Sequence, residues 1–452
     1  MKLAVSEKLK NLALSCPFPL YIVGGYVRDA LAGLKSKTAD IDICAPVSAD
    51  GFLKIAEGCG AEIDAVYRNT GTVKLGFGEE KYEFTCFRSD EYVRGVHTPV
   101  KTFFTDDISL DARRRDFKCN AVYYDIAKGG LCDPLGGIDD IENRRISTVA
   151  DADKVFGEDG LRLMRFARFG AQLNFTPTDE CLEGAKNNCK LIADISAERI
   201  YSELDAILHA DLKYGFSGAQ YRGLKILDEI RVLDIILPEL TLGRGMLQNS
   251  SFHDHDVLEH SLRCVLYADK EIRLSALLHD VGKPRAFIDG GNYYHHESIG
   301  EEIAENICNR LKVPKRLTAE VVRLTKLHMY DLKCDAHEGK IRKLIVANKD
   351  IFDKLLSIKQ ADFSACKDNL DEAPCVTKWK GIYEKMREEG APTELKELEI
   401  RGDEVINCGV PARLVGKVLE ELLYDCALNA RLNDKKTLLA RVEKGIAEGK
   451  FI

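Results

Sequence analysis

The hydrophobic period of this chain changes near residue 150, and that change constrains its fold more than any single motif. Between about 20 and 150, runs with strand-like alternation (YIVGG, ADIDICA, TVKLGF, KYEFTCF) are interleaved with a helical segment, YVRDALAGL, that closes near Gly33. From about 155 onward, LRLMRFARFGAQLNF, AERIYSELDAILHA and GLKILDEIRVLDIIL carry apolar residues at helical spacing. The expected fold class is α+β, a small mixed β-sheet followed by an elongated, all-α remainder. The 452 residues suit several domains. Their boundaries read as 1–150 for the mixed part, 151–245 for a first helical block, 246–368 for a His-rich helical block and 369–452 for a helical C-terminal segment. The polar stretch CKDNLDEAPCVTKWK after the His-rich block reads as a connection or a flexible arm.

Composition excludes several classes. No apolar run approaches the roughly 18 residues of a membrane span. The opening MKLAVSEKLKNLAL has charges between its apolar residues and reads as an amphipathic helix rather than a signal peptide. The 15 cysteines include no CxxC pair, and Cys44, Cys86, Cys119 and Cys264 lie in apolar or motif-rich segments. That pattern argues against a disulfide framework and for a reducing, cytoplasmic setting. The formal net charge is −8. Binding a polyanion would therefore require a local basic surface.

In TADIDICA, Asp40 and Asp42 are two residues apart on an expected strand, so both carboxylates face one way and Ile41 and Ile43 the other. Two adjacent carboxylates repel each other unless a divalent cation joins them. Magnesium held there suits in-line phosphoryl displacement. Glu83, on the expected strand KYEFTCF, is a candidate third ligand. An isolated DxD is more often a pair of solvated aspartates. Here, however, it follows Gly24–Gly25, a strand-to-helix turn where backbone can approach a phosphate, and a helix bearing Arg28 and Asp29.

These residues carry a resemblance. GGYVRDALAG followed by ADIDI resembles the head signature of the polymerase-β-like nucleotidyltransferases, specifically the bacterial-type tRNA CCA-adding enzymes and poly(A) polymerases. Four further segments resemble that family's motifs in the same order: LDARRRDFKCNAVYYD (110–125), DPLGGIDDIENRRI (133–146), FGEDGLRLMRFARF (156–169) and ISAERIYSEL (195–204). The resemblance spans at least residues 20–240 and implies a nucleotidyltransferase head, a helical neck, an HD domain and a tail. It also implies a cytoplasmic enzyme that uses Mg2+, CTP and ATP to extend the acceptor end of tRNA, with no call for DNA or a membrane.

EDGLR sets Asp159 and Arg162 three residues apart, expected on one face of a helix. Aspartate only accepts hydrogen bonds and arginine only donates them. Cytosine and adenine share an amino donor beside a ring-nitrogen acceptor, whereas uracil and guanine present the reverse. A fixed Asp/Arg pair would therefore accept C and A. The same spacing also suits an ordinary i,i+3 ion pair. By the resemblance, Asp159 and Arg162 select the base. Arg115, Asp116 and Asn120 contact the ribose and phosphates or position the nucleotide, and Arg165 lies near the triphosphate; Arg168 extends the basic row from Arg162 at helical spacing and equally suits a structural role.

His260, His279–Asp280 and Asp362 form a second set, in DVLEHSL, SALLHDVGKP and KQADFSA. Mixed imidazole and carboxylate ligands suit a divalent metal. Their order resembles the HD phosphohydrolase domain, and His296 and His328 sit where two-metal HD domains place extra ligands. The resemblance thus implies a second divalent metal and a possible hydrolytic activity. At the C-terminus, LEIRGDEVINCGVPARLVGKVLEELLYD resembles the family's tRNA-gripping end, with Gly402, Asp403 and Gly416 matching and Pro411–Ala412 in place of Pro–Gly. Arg401, Arg413 and Lys417 are its candidate phosphate contacts.

The leading expectation is CCA addition. A CC-adding or A-adding specialist, distinguished by a loop within residues 88–108, and a poly(A) polymerase remain alternatives. So does an HD metallohydrolase with an RNA-binding head. The sequence does not specify the oligomeric state.

Overall fold

The computed structural model describes residues 3–35, 41–91 and 100–451, so Asp40 and residues 92–99 of the expected loop lie outside the described residues. The chain divides into two compact units, Met1–Leu242 with Ile307–Val313, and Gly243–Asn306 with Pro314–Ile452.

The first unit contains a seven-stranded mixed sheet in the order β3-β4-β5-β2-β1-β8-β9. Its strands are β1 (Tyr21–Val23), β2 (Ile41–Ala45), β3 (Glu62–Tyr67), β4 (Thr72–Phe77), β5 (Glu80–Cys86), β8 (Tyr123–Asp125) and β9 (Gly130–Cys132); β6 (Arg88–Glu91) and β7 (Lys101–Phe104) make a separate ribbon. The pair β2–β5 is parallel, and Asp42 stands opposite Glu83 in its register. A parallel pair needs a long crossover. Here the helix Ala49–Gly58 and the strands β3 and β4 supply it. Ser48 caps that helix by accepting the Gly51 N–H, and Phe52 stacks on Phe84 of β5 at 3.7 Å between ring centroids. Alternation along β5 buries Tyr82, Phe84 and Cys86 and leaves Lys81 and Glu83 exposed. On β2, Ile43 is buried and Asp42 exposed, which gives the carboxylate and the core opposite faces.

Behind the sheet residues come the helices Ala152–Glu158, Leu161–Leu173, Ala197–Leu208, Ala210–Tyr214 and Ala219–Glu229. Helix Leu161–Leu173 buries ten of its 13 residues, and Phe166 and Phe169 pack with Phe117 and Phe156. One expectation fails at its start. Asp159 does not share a helix with Arg162: it ends helix Ala152–Glu158 in an extended conformation, and Arg162 lies in the first turn of the next helix. The break is at Asp159 itself; Gly160 is helical and caps the next helix, and a Cβ there would come within 2.5 Å of the Leu191 carbonyl oxygen.

The second unit is helical. Helices Val257–Tyr267, Arg273–Leu278, Lys315–Leu327 and Phe352–Lys367 surround the histidine cluster. The segment CKDNLDEAPCVTKWK is not a flexible arm. From Pro374 it enters helix Pro374–Glu388, whose residues Cys375, Val376, Trp379, Ile382 and Met386 form a buried stripe. Pro374 opens that helix at a position where its missing N–H costs nothing. Trp379 is fully buried and donates its indole N–H to Asp331. The C-terminal helices Val415–Leu428 and Lys435–Ala447 share a core of Leu398, Ile400, Val405, Val418, Leu422 and Leu438. Arg401, Arg413 and Lys417 lie exposed on this segment. Among the described residues all fifteen cysteines are free, and no helix is long and apolar enough to cross a membrane.

Candidate active site

Gly24 turns the chain from β1 into helix Gly25–Leu31 with φ +77°. A Cβ on Gly24 would stand 3.0 Å from Asp42 Oδ2, so the absence of a side chain lets the turn lie against the carboxylate. Glu83 faces the same side of the sheet one strand away, about half exposed, with Lys74 Nζ 3.5 Å from its carboxylate. Oxygen donors side by side on neighbouring interior strands, on the exposed face of the sheet, fit a hard divalent cation.

Asp42 opens onto a cavity of about 820 Å³. Of the expected site residues, Gly24, Gly25, Arg28, Arg115, Asp116, Asn120, Asp159, Arg162 and Arg165 also line it; Glu83 does not. Among the described residues the wall carries nine Arg and Lys against four Asp. An acidic chain thus concentrates positive charge where a triphosphate or an RNA end would bind.

The cations are held before any ligand arrives. Asp116 Oδ2 accepts from Arg165 Nε and Nη2 at 2.8 and 2.5 Å, and its Oδ1 accepts from Asn120 at 3.1 Å. Burial pushes the Asp116 carboxyl up, but Arg165 and Asn120 outweigh it and hold it well below the usual carboxylate range. Arg28 is buried. It donates to Asp29 Oδ1 at 2.9 and 2.7 Å and to Asn120 Oδ1 at 2.6 Å. Arg162, also buried, donates to the Val155 and Arg114 carbonyls and to Glu158 at 2.8, 3.0 and 2.7 Å. Asp159 Oδ1 accepts the Leu161 N–H at 3.0 Å. Arg115 lies over the Tyr123 ring, donating to the Tyr123 hydroxyl at 3.2 Å and to Asp111 at 3.1 Å. Arg168 pairs with Glu203 at 2.6 Å.

Sequence reasoning missed three groups. Asp111 is fully buried and binds Arg114, Arg115 and the Tyr123 hydroxyl. The Tyr214 hydroxyl donates to Asp29 Oδ2 at 2.6 Å from a helix 185 residues away. Phe169 gathers the guanidiniums of Arg28, Arg165 and Arg168 on its ring at 4.4 to 5.2 Å from the centroid. The run of charges around Asp111 and the helical spacing of Arg165, Arg168 and Phe169 were visible signals; Tyr214 left none.

The second unit brings all six His and Asp residues of the expected second set together. Asp280 is at their centre. Its Oδ2 lies 3.2 Å from His279 Nε2 and 3.4 Å from His260 Nε2, and its Oδ1 lies 3.1 Å from His296 Nε2 and 3.4 Å from His328 Nε2. Asp362 Oδ1 approaches His260 Nε2 at 3.0 Å and His279 Nε2 at 3.5 Å. His279, His296 and His328 each place Nδ1 against the carbonyl three residues earlier, at 2.6 to 2.7 Å. A carbonyl only accepts, so Nδ1 carries the proton and Nε2 keeps its lone pair. The Nε2 atoms meet in twos, at 3.3 Å for His260–His279 and 3.3 Å for His296–His328. Both Asp280 oxygens are buried. The Lys283 ammonium lies 2.5 Å from Asp280 Oδ2, and the four imidazole Nε2 atoms crowd the rest of this buried carboxylate, a donor set that suits a divalent ion on each side of Asp280.

Comparison with known proteins gives the family and the fold. The poly A polymerase head domain matches residues 20–147, the probable RNA and SrmB-binding site of polymerase A matches 174–242, and the HD domain matches 257–355. An A-adding tRNA nucleotidyltransferase of Deinococcus radiodurans is 31% identical over 373 residues, 78% of this chain and 78% of its own length. A CCA-adding enzyme of Lactobacillus helveticus is 36% identical over 186 residues, spanning 41% of this chain and just 45% of that enzyme. The fold is that of the Bacillus stearothermophilus CCA-adding enzyme solved with CTP, with a TM-score of 0.67 at 23% identity over 98% of both chains.

Proposed function

The chain belongs to the tRNA nucleotidyltransferase and poly(A) polymerase family, and from that premise we propose that it adds C, C and A from CTP and ATP to the 3′ end of tRNA, releasing pyrophosphate. One observation carries the reading: Asp42 and the Asp159–Arg162 pair line the same cation-rich cavity. The tRNA 3′-hydroxyl attacks the α-phosphate, and the bond to pyrophosphate breaks in line. Mg2+ held by Asp40, Asp42 and Glu83 would supply Lewis-acid stabilisation of the displacement. Asp159 accepts the exocyclic amino group of C or A, and Arg162 donates to the neighbouring ring nitrogen. Both side chains are already tied to the chain around them, so a reversed donor pattern would leave buried groups unpaired. Arg165 offers charge to the triphosphate while Asp116 fixes its direction, and Gly24 gives the phosphates backbone access. Exposed Arg401, Arg413 and Lys417 would meet the tRNA body. Such work belongs to the cytoplasm.

A second reading, addition of A alone, is favoured by the relative that aligns across most of the chain, an A-adding enzyme. Three tRNA transcripts decide between them: one ending before the CCA, one ending in C and one ending in CC. CCA addition puts labelled C on the first two and A on the third. A-only addition labels the third alone, and long A tails would indicate a poly(A) polymerase.

The His/Asp cluster is assigned as a two-ion centre with Asp280 between the ions. His260, His279 and Asp362 would hold one, and His296 and His328 the other. Such a centre suits hydrolysis of a phosphoester, for which a damaged tRNA end with a 2′,3′-cyclic phosphate is the natural candidate. Metal analysis and release of the cyclic phosphate test it; a chain that binds no transition metal and opens no cyclic phosphate rules it out.

A further inference from the structure

We propose that His253, His260 and Cys366 form an additional metal position at the rim of the His/Asp cluster, one suited to a thiophilic divalent ion such as Zn2+. Their ligand atoms all lie within 4.8 Å of one another. The His253 and His260 rings meet edge to face, 5.0 Å between centroids. Both rings carry a buried Nδ1 with no hydrogen-bond partner. That sets them apart from His279, His296 and His328, whose Nδ1 atoms are each committed to a carbonyl. A buried imidazole with an unused nitrogen is costly to leave so, and a cation is one way to use it.

Local structure places these groups together. Cys366 follows Asp362 by four residues on helix Phe352–Lys367, so its thiol sits one turn along the face that carries the Asp362 carboxylate. The segment carrying His253 is tied to that same turn, because the Asp254 N–H donates to the Cys366 carbonyl at 3.0 Å. The His253 N–H closes a turn onto the Asn249 carbonyl at 3.0 Å, and His255 approaches Asp368 at 3.7 Å. The backbone therefore brings His253 to Cys366 independently of any ion.

The donor types separate this position from the inner one. Two imidazoles and a thiolate select zinc and other borderline or soft ions, whereas Asp280 and Asp362 bring oxygen donors to the buried pair. Binding exchanges the Cys366 thiol proton for the metal and releases that proton to solvent. A tetrahedral ion would keep one coordination place open for water or a substrate oxygen. His260 belongs to both sets, so an ion in the outer position competes with the inner centre for it. This last consequence rests on the two-ion reading proposed above. Excess Zn2+ would then lower phosphoester hydrolysis and leave nucleotide addition untouched.

Cobalt(II) reports on the site in the reduced full-length chain, since a cobalt–thiolate bond gives a charge-transfer absorption that imidazole and carboxylate ligands do not. Titration with Co2+, with bound metal counted in parallel, should develop that absorption in the wild type. It should vanish in Cys366→Ser with loss of one bound ion, and His253→Ala should weaken binding roughly tenfold or more, as losing even an outer-shell partner does. Zn2+ should displace the absorbing cobalt. Cobalt binding without thiolate absorption, or absorption that survives in Cys366→Ser, overturns the outer position while leaving the inner centre standing. A chain that binds no cobalt at all removes both.

Discussion

In the cavity of the first unit, positive side chains already have partners. Arg165 rests on Asp116, Arg28 on Asp29, and Arg162 on two carbonyls and Glu158. In the second unit, histidine nitrogens meet in pairs at either oxygen of the buried Asp280, whose cationic neighbour is the Lys283 ammonium. The first arrangement is a rigid, charged surface that a molecule can enter and leave. The second sets two carboxylates and four imidazoles against the Lys283 ammonium and leaves donor atoms for added cations. Turnover of a large nucleotide calls for the former, and a resident metal for the latter.

The largest expected effect separates the two directly. Asp42→Ala should lower nucleotide incorporation by roughly a thousandfold, the several kcal/mol that metal-assisted charge stabilisation provides. Asp42 is exposed, so folding and the metal content of the second unit should not change. Incorporation of labelled CMP and AMP measures it, and activity within tenfold of wild type would remove Asp42 from the reaction.

Asp280→Ala is the counterpart. Removing Asp280 leaves the buried Lys283 ammonium without its carboxylate, which should cost about 3–5 kcal/mol of stability in the absence of metal, and should abolish binding of both ions. Urea unfolding of the metal-free chain and metal analysis read the two effects. Nucleotide incorporation at a temperature where the variant stays folded should match wild type. If it fell with the metal content, the separation of the two regions would not hold.

The same contrast explains what the residues disclosed in advance. All six residues of the second cluster were legible because their order along the chain resembles that of the HD domain; one histidine on a helix alone is more often a packed side chain. The strands of the head were legible for a local reason, their own alternation. Asp42 and Glu83 were expected on strands, but their pairing depends on a parallel register across a long crossover, which no local pattern encodes. The expected helix through EDGLR failed because Asp159 is extended and ends one helix while Gly160 caps the next, a break that three-residue spacing does not encode. CKDNLDEAPCVTKWK looked like an arm because its polar half hid the stripe from Cys375 to Met386. Arg115 was expected on phosphate. Its ring contact with Tyr123 and its bond to Asp111 required knowing which strand lay beneath it.

Asp111 gives the comparison a pH signature. Burial raises its carboxyl, but Arg115 and Arg114 outweigh burial and bring it from the ordinary 3.8 to about 2. A carboxyl lowered in the folded state stabilises the fold above its unfolded pKa, and that stability is lost as pH falls through the folded value. The head should thus lose about 2 kcal/mol between pH 3.8 and about 2. Urea midpoints across that window should slope more steeply for wild type than for Asp111→Asn. Equal slopes would show that the pair with Arg114 and Arg115 does not set the acid limit of the head.

The smallest effect tests how far the prearrangement of the head cavity extends. The Tyr214 hydroxyl bonds Asp29, and Arg28 links that pair to Asn120, Asp116 and so to Arg165. Tyr214→Phe removes the bond to Asp29 and the longer one accepted from Arg28 at 3.3 Å, and leaves the Arg28–Asp29 pair in place, a cost of about 1 kcal/mol. If the chain of contacts aims the phosphate-facing arginine, that loss should appear as a rise of up to about fivefold in KM for CTP and ATP, with kcat nearly unchanged. A purely structural tyrosine would lower the urea midpoint and leave KM where it was. Tyr214→Phe therefore distinguishes a cavity aligned through its second layer of contacts from one aligned only by the residues that touch the nucleotide.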